Sequence, residues 1–212
     1  MLTSYGTSTI VKTTLLCLLM CVVALFIPFI AQVWLIGFAV VFLLFTLYFF
    51  RDPERKTPNE TAIIVSPADG KVMQIAPCTL PDSGLPATRV SIFMSPFNVH
   101  VNRVPISGKV TMVRYVPGKF LMAFDHASME HNERMEIALD NGQFEVRFSQ
   151  VSGFIARRIV CTLQPNDVVT IGRRFGMIKF GSRVDMVLPA TVRCCVQQGD
   201  NVHAGETIIG RY

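Results

Sequence analysis

The chain has 212 residues, of which half are hydrophobic, with a formal net charge of +5 and a mean hydropathy of +0.42. This length suits one domain plus an anchor, and the hydropathy is high for a soluble protein. A zinc site and a disulfide framework are not supported, because the six cysteines show no CxxC spacing. The basic residues lack an aromatic or helical recognition pattern, so an anionic lipid surface suits them better than nucleic acid.

The first predicted element is a membrane anchor over residues 1–50. No Asp, Glu, Lys or Arg occurs from Thr13 to Phe50. One straight helix over that run would be about 55 Å long against a hydrocarbon core of ~30 Å. The run therefore predicts two transmembrane helices, with Pro28 and Gln32 marking the break. The alternative is a cleaved signal peptide, whose apolar core is shorter, about 7–15 residues.

The charges beside this anchor predict its orientation. Lys12 lies before the first span, and Arg51, Arg55 and Lys56 follow the second. The positive-inside rule therefore places both flanks, and the domain that follows them, on the cytoplasmic side of the cell membrane.

The rest of the chain is predicted to be mainly β. Residues 51–61 are polar, contain two prolines and are typical of a linker. Residues 62–212 hold short β-like runs between turn signals, including Asp140-Asn141-Gly142, a strong hairpin signal. One or two short helices are expected around Lys119–Glu133. We predict a β-sandwich-like domain with short helices, preceded by an N-terminal transmembrane helical hairpin.

A weak internal repeat occurs near the C-terminus. Asp167–Gly172 and Asp200–Gly205 share the pattern D-x-V-x-x-G. Such repeats occur in lipoyl- and biotinyl-like β-sandwiches, although no lysine here sits at a tip as those carrier domains require. The simpler interpretation is two similar β-turns.

The pair Gly181-Ser182 has two interpretations. It suits a turn, because glycine is conformationally permissive and serine bonds locally to the main chain. It also suits self-cleavage, in which the serine hydroxyl attacks the glycine carbonyl and forms an ester. Elimination across the serine then breaks the chain, and hydrolysis leaves an N-terminal pyruvoyl group. Its ketone can form a Schiff base with a substrate amine and withdraw electrons during decarboxylation.

Such a serine needs a base. The chain contains four histidines: His100, His126, His131 and His203. His100 stands out because polar residues surround it within an otherwise apolar stretch. Asp69, in SPADGKV, is the best carboxylate candidate and is expected to orient His100. Its structural alternative is the first position of an Asp-Gly turn.

These segments occur together in one known family. The chain contains, in order, FRDPER, SPADGKV, SIFMSPFNVHVNRVPISGKV, EHNER, IARRIVC, RFGMIKFGSRVD and the final D-x-V-x-x-G. It resembles the short, archaeal-type branch of the pyruvoyl-dependent phosphatidylserine decarboxylases over nearly all of its length after the anchor. The resemblance implies a proenzyme cut between Gly181 and Ser182 into chains 1–181 and 182–212.

The resemblance also implies roles for single residues. Ser182 would become the pyruvoyl cofactor, and Asp69 and His100 match motif positions that the family uses. Arg103 stands where the longer branch of the family has a second histidine, so His100 is expected to serve both self-cleavage and decarboxylation. The alternative is that His126 or a water serves one of the two steps. Arg103 and Arg183 are candidate ligands for the substrate phosphate. No metal is expected.

The implied activity is a lyase reaction of phospholipid biosynthesis, the conversion of phosphatidylserine to phosphatidylethanolamine. The implied partners are the membrane lipid and the two chains of one precursor, and the sequence leaves homo-oligomerisation open. Two alternatives remain. One is a pyruvoyl decarboxylase acting on another amine-bearing substrate, and the other is a membrane-tethered β-sandwich adaptor without enzymatic activity.

Overall fold

The structure is a computed structural model, and it describes residues 1–80, 83–119, 131–153, 158–179 and 182–212. The chain divides into two compact units, Met1–Glu54 and Arg55–Tyr212. Most of the segment in which short helices are expected, Lys119–Glu133, lies outside the described residues.

The first unit contains two apolar helices, α1 (Thr7–Ala24) and α2 (Phe29–Phe49). Both are long and apolar enough to cross a membrane, judged by length and composition, which supports membrane association. Pro28 is the N-cap of α2, as expected for a residue that cannot continue a helix. Gln32 lies inside the first turn of α2, where its N–H bonds the Pro28 carbonyl at 2.9 Å, so the break precedes it.

The second unit is mainly β, as the short apolar runs between turn signals predict. Its described strands are β1 (Ile63–Val65), β2 (Gly70–Thr79), β3 (Pro86–Met94), β4 (Val101–Arg103), β5 (Gly108–Val116), β6 (Arg134–Asp140), β7 (Glu145–Val151), β8 (Arg158–Cys161), β9 (Val168–Val169), β10 (Arg174–Lys179), β11 (Ser182–Pro189), β12 (Arg193–Cys194), β13 (Asn201–Val202) and β14 (Ile208–Arg211).

These strands form a large sheet and two small ones. The eight-stranded sheet has the order β13-β2-β3-β11-β7-β6-β5-β9, and the small sheets have the orders β1-β14-β12 and β4-β10-β8. Side chains alternate between the two faces of a strand. Along β11, Val184, Met186 and Leu188 are fully buried on the core face, and Ser182 shares that face. Arg183 therefore points to the other face.

The predicted Asp140-Asn141-Gly142 hairpin is confirmed. Strands β6 and β7 pair from Asp140 and Glu145 onward. Gly142 has a φ of +88°, which favours glycine, and its N–H bonds Asp140 Oδ1 at 2.8 Å.

The weak C-terminal repeat is part of a larger structural repeat. In one copy, β13 pairs with Gly70-Lys71, and in the other β9 pairs with Gly108-Lys109. Each copy therefore joins a P-x-x-G-K-V segment (67–72 or 105–110) to a D-x-V-x-x-G segment. The final glycines, Gly172 and Gly205, have φ values of +78° and +76°. The similarity thus extends beyond two isolated turns.

Candidate active site

Ser182 lies where the chain changes sheets. Strand β10 belongs to the sheet β4-β10-β8, whereas β11, which begins at Ser182, belongs to the large sheet. Ser182 is fully buried opposite Met94 of β3, and its Oγ donates to Met94 Sδ at 3.5 Å. Among the described residues this thioether, a weak acceptor, is the hydroxyl's hydrogen-bond partner. Gly181, the other residue of the expected cleavage site, lies outside the described residues.

Two buried amides extend this site. Asn102 Nδ2 lies 3.9 Å from Met94 Sδ and 3.4 Å from the Pro67 carbonyl oxygen, so it links the surroundings of Ser182 to the SPADGKV segment. Asn102 Oδ1 accepts a hydrogen bond from Gln150 Nε2 at 2.9 Å, and both side chains are fully buried. The sequence drew attention to Asn102 only as a polar neighbour of His100, and nothing in it singled out Gln150, because a strand residue carries no motif.

His100 lies beside the strand that leads to Ser182. It is fully buried, and its carbonyl oxygen accepts a hydrogen bond from Ile178 of β10 at 3.4 Å. Its Nδ1 is 3.0 Å from the Asn98 carbonyl oxygen. Because a carbonyl only accepts, Nδ1 carries the proton of the neutral ring and Nε2 is the nitrogen able to take up another. Ser182 Oγ does not hydrogen-bond to His100 within the described part of the chain.

Asp69 is almost completely buried, with 4% of its surface exposed. Its Oδ2 accepts from Arg55 Nη2 at 2.6 Å, and its Oδ1 accepts from the Ala204 N–H at 2.8 Å. His203 also contacts this carboxylate, with its Nδ1 3.5 Å from Oδ2. The structure therefore brings Asp69 to His203, and among the described contacts it makes no direct hydrogen bond from Asp69 to His100.

The remaining two histidines add no described group to this site. His131 is exposed, and His126 lies outside the described residues. His203 itself has a side chain that is 60% exposed, in contrast to the buried ring of His100. The two histidines near the proposed chemistry therefore differ sharply in their access to solvent.

Arg55 contacts the candidate site through Asp69, although the sequence did not single it out for the chemistry. Its Nη1 bonds Glu206 Oε2 at 2.7 Å while its Nη2 holds Asp69, and Glu206 Oε1 also accepts from the Lys56 N–H at 3.1 Å. Partial burial by itself raises the pKa of Glu206, but the hydrogen bonds from Lys56 and Arg55 and nearby positive charge outweigh it and leave that pKa below its usual value. The signal available in the sequence was FRDPER, which ends at Arg55.

The two candidate phosphate ligands are engaged within the protein. Arg103 is 5% exposed and donates from Nη1 to the Gly172 carbonyl oxygen at 3.0 Å. Arg183 is fully buried and pairs with Asp185, with Nε 2.9 Å from Oδ1 and 3.1 Å from Oδ2. Arg183 also faces away from Ser182, because the two are neighbours on one strand.

A groove of about 410 Å³ lies on that other face of the large sheet. Its lining includes Arg114, Arg134 and Glu136, and both arginines pair with the glutamate. Because this groove lies on the opposite face of the sheet from Ser182, it cannot bring a substrate to that serine. Among the described residues, no group of three or more His, Cys, Asp or Glu could hold a metal ion.

Comparison with known proteins identifies the family. The family model described as phosphatidylserine decarboxylase matches residues 42–210. A protein of Chlorobium phaeobacteroides named phosphatidylserine decarboxylase proenzyme is 59% identical to this chain over 211 residues, with 99% of each chain covered. A protein of the same name in Pelodictyon phaeoclathratiforme is 57% identical over 212 residues, with both chains covered completely. A protein of the same name in Chlorobaculum tepidum is 54% identical over 98% of this chain and 96% of its own. The chain belongs to the phosphatidylserine decarboxylase family.

Proposed function

We propose that this protein converts phosphatidylserine to phosphatidylethanolamine after cutting its own chain between Gly181 and Ser182. The observation that carries the proposal is the state of Ser182, a fully buried hydroxyl at the first residue of β11. Its weak thioether partner leaves the oxygen available for attack on the preceding carbonyl. Family membership makes this serine the expected origin of the cofactor.

The surroundings of Ser182 fit a pyruvoyl group. When present, that group supplies a carbonyl that takes up the substrate amine and withdraws electrons as carbon dioxide leaves. The position is buried, and Met94, the described hydrogen-bond partner of Ser182, is neutral, which protects a ketone from water and from charge. From Arg183 onward, β11 pairs with β3 on one side and β7 on the other, so the chain beginning at residue 182 is held firmly.

His100 is the proposed proton carrier of both steps. Its Nε2 takes the Ser182 proton during self-cleavage and later returns a proton to the α-carbon of the lipid headgroup. The bond from Nδ1 to the Asn98 carbonyl fixes the tautomer that this role needs. The contact between Asp69 and His203 makes His203 a second candidate for the base of self-cleavage.

Asp69 is proposed to stabilise the positive charge that develops when a histidine takes the serine proton. Its own orientation is set by Arg55 and by the Ala204 N–H.

The contacts of Arg103 and Arg183 favour a structural role over binding of the substrate phosphate, because a phosphodiester would have to compete with the Gly172 carbonyl and the Asp185 carboxylate.

The anchor has a direct purpose in this proposal, since the substrate is a membrane lipid. The two apolar helices keep the β unit at the bilayer, and Lys12 with Arg51 and Lys56 favours a cytoplasmic location for it. Protease added to right-side-out and to inverted vesicles tests this orientation. Digestion of the β unit only in inverted vesicles is the expected result.

The proposed chemistry is tested by the mass and reactivity of the purified protein. We expect two chains, 1–181 and 182–212, of which the smaller begins with a carbonyl that reacts with hydrazides. Ser182→Ala should give one full-length chain that releases no carbon dioxide from phosphatidylserine. Ser149→Ala, on a neighbouring strand, is the matched control and should mature normally. Cleavage in the Ser182→Ala protein would refute the assignment.

The same preparations separate the two alternatives. An adaptor would keep one intact chain with an ordinary serine at 182. A pyruvoyl enzyme for another amine would be cut and would carry the carbonyl, but after removal of residues 1–50 it would still act on a soluble amine such as serine. A phosphatidylserine decarboxylase should instead lose lipid turnover when the anchor is removed.

A further inference from the structure

Asp69 and Ser107 occupy equivalent positions in the two copies of the structural repeat. Asp69 Oδ1 accepts the Ala204 N–H at 2.8 Å, and Ser107 Oγ accepts the Ile171 N–H at 2.9 Å. Each bond connects the P-x-x-G-K-V segment to the residue before the final glycine of its copy. One side-chain oxygen is therefore enough to form this turn. The second carboxylate oxygen of Asp69 is not needed for this turn, and it is the oxygen that Arg55 binds.

Arg55 binds two different carboxylates with the two terminal nitrogens of its guanidinium group. Nη2 bonds Asp69 Oδ2 at 2.6 Å, and Nη1 bonds Glu206 Oε2 at 2.7 Å. The side chains of Arg55 and Asp69 are only 13% and 6% exposed. A planar guanidinium can hold two carboxylates in fixed directions, whereas a lysine ammonium is a single point charge.

This arrangement also connects the two chains expected after cleavage. Arg55 and Asp69 belong to residues 1–181, whereas Ala204 and Glu206 belong to residues 182–212. Within the described part of the chain, the charged and titratable groups that contact Asp69 are Arg55 and His203. Glu206 in turn balances the charge of Arg55. The carboxylate of Asp69 is thus held by both chains.

We propose that Arg55 is a positioning residue for the reaction, which fixes the orientation of Asp69 Oδ2 and keeps residues 203–206 against it. The proposal rests on the proposed function, because it gives Asp69 a part in the chemistry. It adds a residue outside the segments that carry the serine, the histidine and the aspartate. Its test must therefore distinguish a slower self-cleavage in the variants from an absence of self-cleavage in the unaltered protein.

The experiment follows the rate of self-cleavage of the full-length precursor in detergent, by conversion of one gel band to two. We expect Arg55→Gln and Arg55→Ala to slow cleavage at least tenfold. Arg55→Lys should retain part of the wild-type rate, because it keeps the positive charge but lacks the planar guanidinium group. Guanidinium ion, added to Arg55→Ala at concentrations too low to unfold the protein, should accelerate cleavage, whereas the same concentration of sodium should not.

Arg211→Gln is the matched control. Arg211 pairs with Glu60 at 2.7 Å and also links the two expected chains, but it does so on an exposed surface. Its variant should cleave at the wild-type rate. The proposal is overturned if Arg55→Gln also cleaves at that rate, or if its slow cleavage is rescued neither by lysine nor by guanidinium and follows a lowered melting temperature. Absence of cleavage in the unaltered protein would instead refute the proposed function.

Discussion

The backbone carbonyl of His100 accepts a hydrogen bond from the amide of Ile178 in β10, four residues before Ser182, the first residue of β11. The ring of His100 is held at its other end by the bond from Nδ1 to the Asn98 carbonyl. Position and tautomer are therefore both set by main-chain groups. A histidine restrained in this way keeps its basic nitrogen in one place, as the two proposed proton transfers require.

This arrangement predicts different outcomes for two histidine variants. His100→Ala should lower decarboxylation by about 100-fold or more, the usual contribution of a positioned acid–base group. His203→Ala should change it less than about tenfold, because its exposed ring can be replaced by water as a partner of Asp69. Carbon dioxide release measures decarboxylation, and gel bands measure maturation. Wild-type rates in both assays for His100→Ala would exclude its role.

The repeat predicts a variant that separates the structural part of Asp69 from its chemical part. Asp69→Ser should retain the bond to the Ala204 N–H, since Ser107 makes the corresponding bond in the other copy. We expect a melting temperature close to that of the Ser182→Ala precursor but greatly slowed self-cleavage. Calorimetry and band conversion are the two measurements. Normal cleavage in this variant would show that the second carboxylate oxygen is dispensable.

The buried amides predict a stability effect near Ser182. Asn102→Ala removes the acceptor of Gln150 Nε2 and the donor to the Pro67 carbonyl. Leaving buried polar groups with fewer partners should lower the free energy of unfolding by about 1–3 kcal/mol. Urea unfolding in the uncut Ser182→Ala background measures this effect on a single chain. Asn201→Ala, at an exposed position, is the control and should have little effect.

Acid should weaken the contact between Arg55 and Glu206. The pKa of Glu206 is lowered in the folded protein, so its contribution to stability is present above the usual value of 4.5 and is lost as the pH falls through the lowered value. Because the side chain is 33% exposed, the contribution should be less than about 1 kcal/mol. Glu206→Gln should remove this part of the pH dependence of unfolding, whereas Glu60→Gln should not. Parallel curves for wild type and Glu206→Gln would contradict the expectation.

The fold could largely be predicted from local patterns. The hairpin at Asp140-Asn141-Gly142 follows from turn chemistry, and the apolar run before Phe50 indicates two helices. The pairing of β11 between β3 and β7 could not be predicted, because register between distant strands depends on long-range packing. The helix break was expected to extend to Gln32, but a glutamine is compatible with a first helical turn and the proline alone sets the boundary.

The residues of the candidate site could be predicted where a sequence motif contains them, and could not be predicted elsewhere. Ser182, His100 and Asp69 all lie in recognisable segments, although the contacts among them do not follow from spacing. The larger repeat was visible in the sequence as Gly-Lys-Val at 70–72 and again at 108–110, but only the structure makes Ser107 comparable with Asp69. Gln150 reaches Asn102 through tertiary packing, for which a single sequence gives no signal.

The chain passes from one sheet to another between Lys179 and Ser182, so the proposed scission would have a consequence for the kinetics of folding. The precursor can fold as a single molecule, with its last strands tethered to their partners. Once cut, a protein that unfolds must reassemble from two separate pieces, so its recovery becomes a bimolecular process that fails on dilution. Lifetime, rather than equilibrium stability, would then determine how long each activated molecule works.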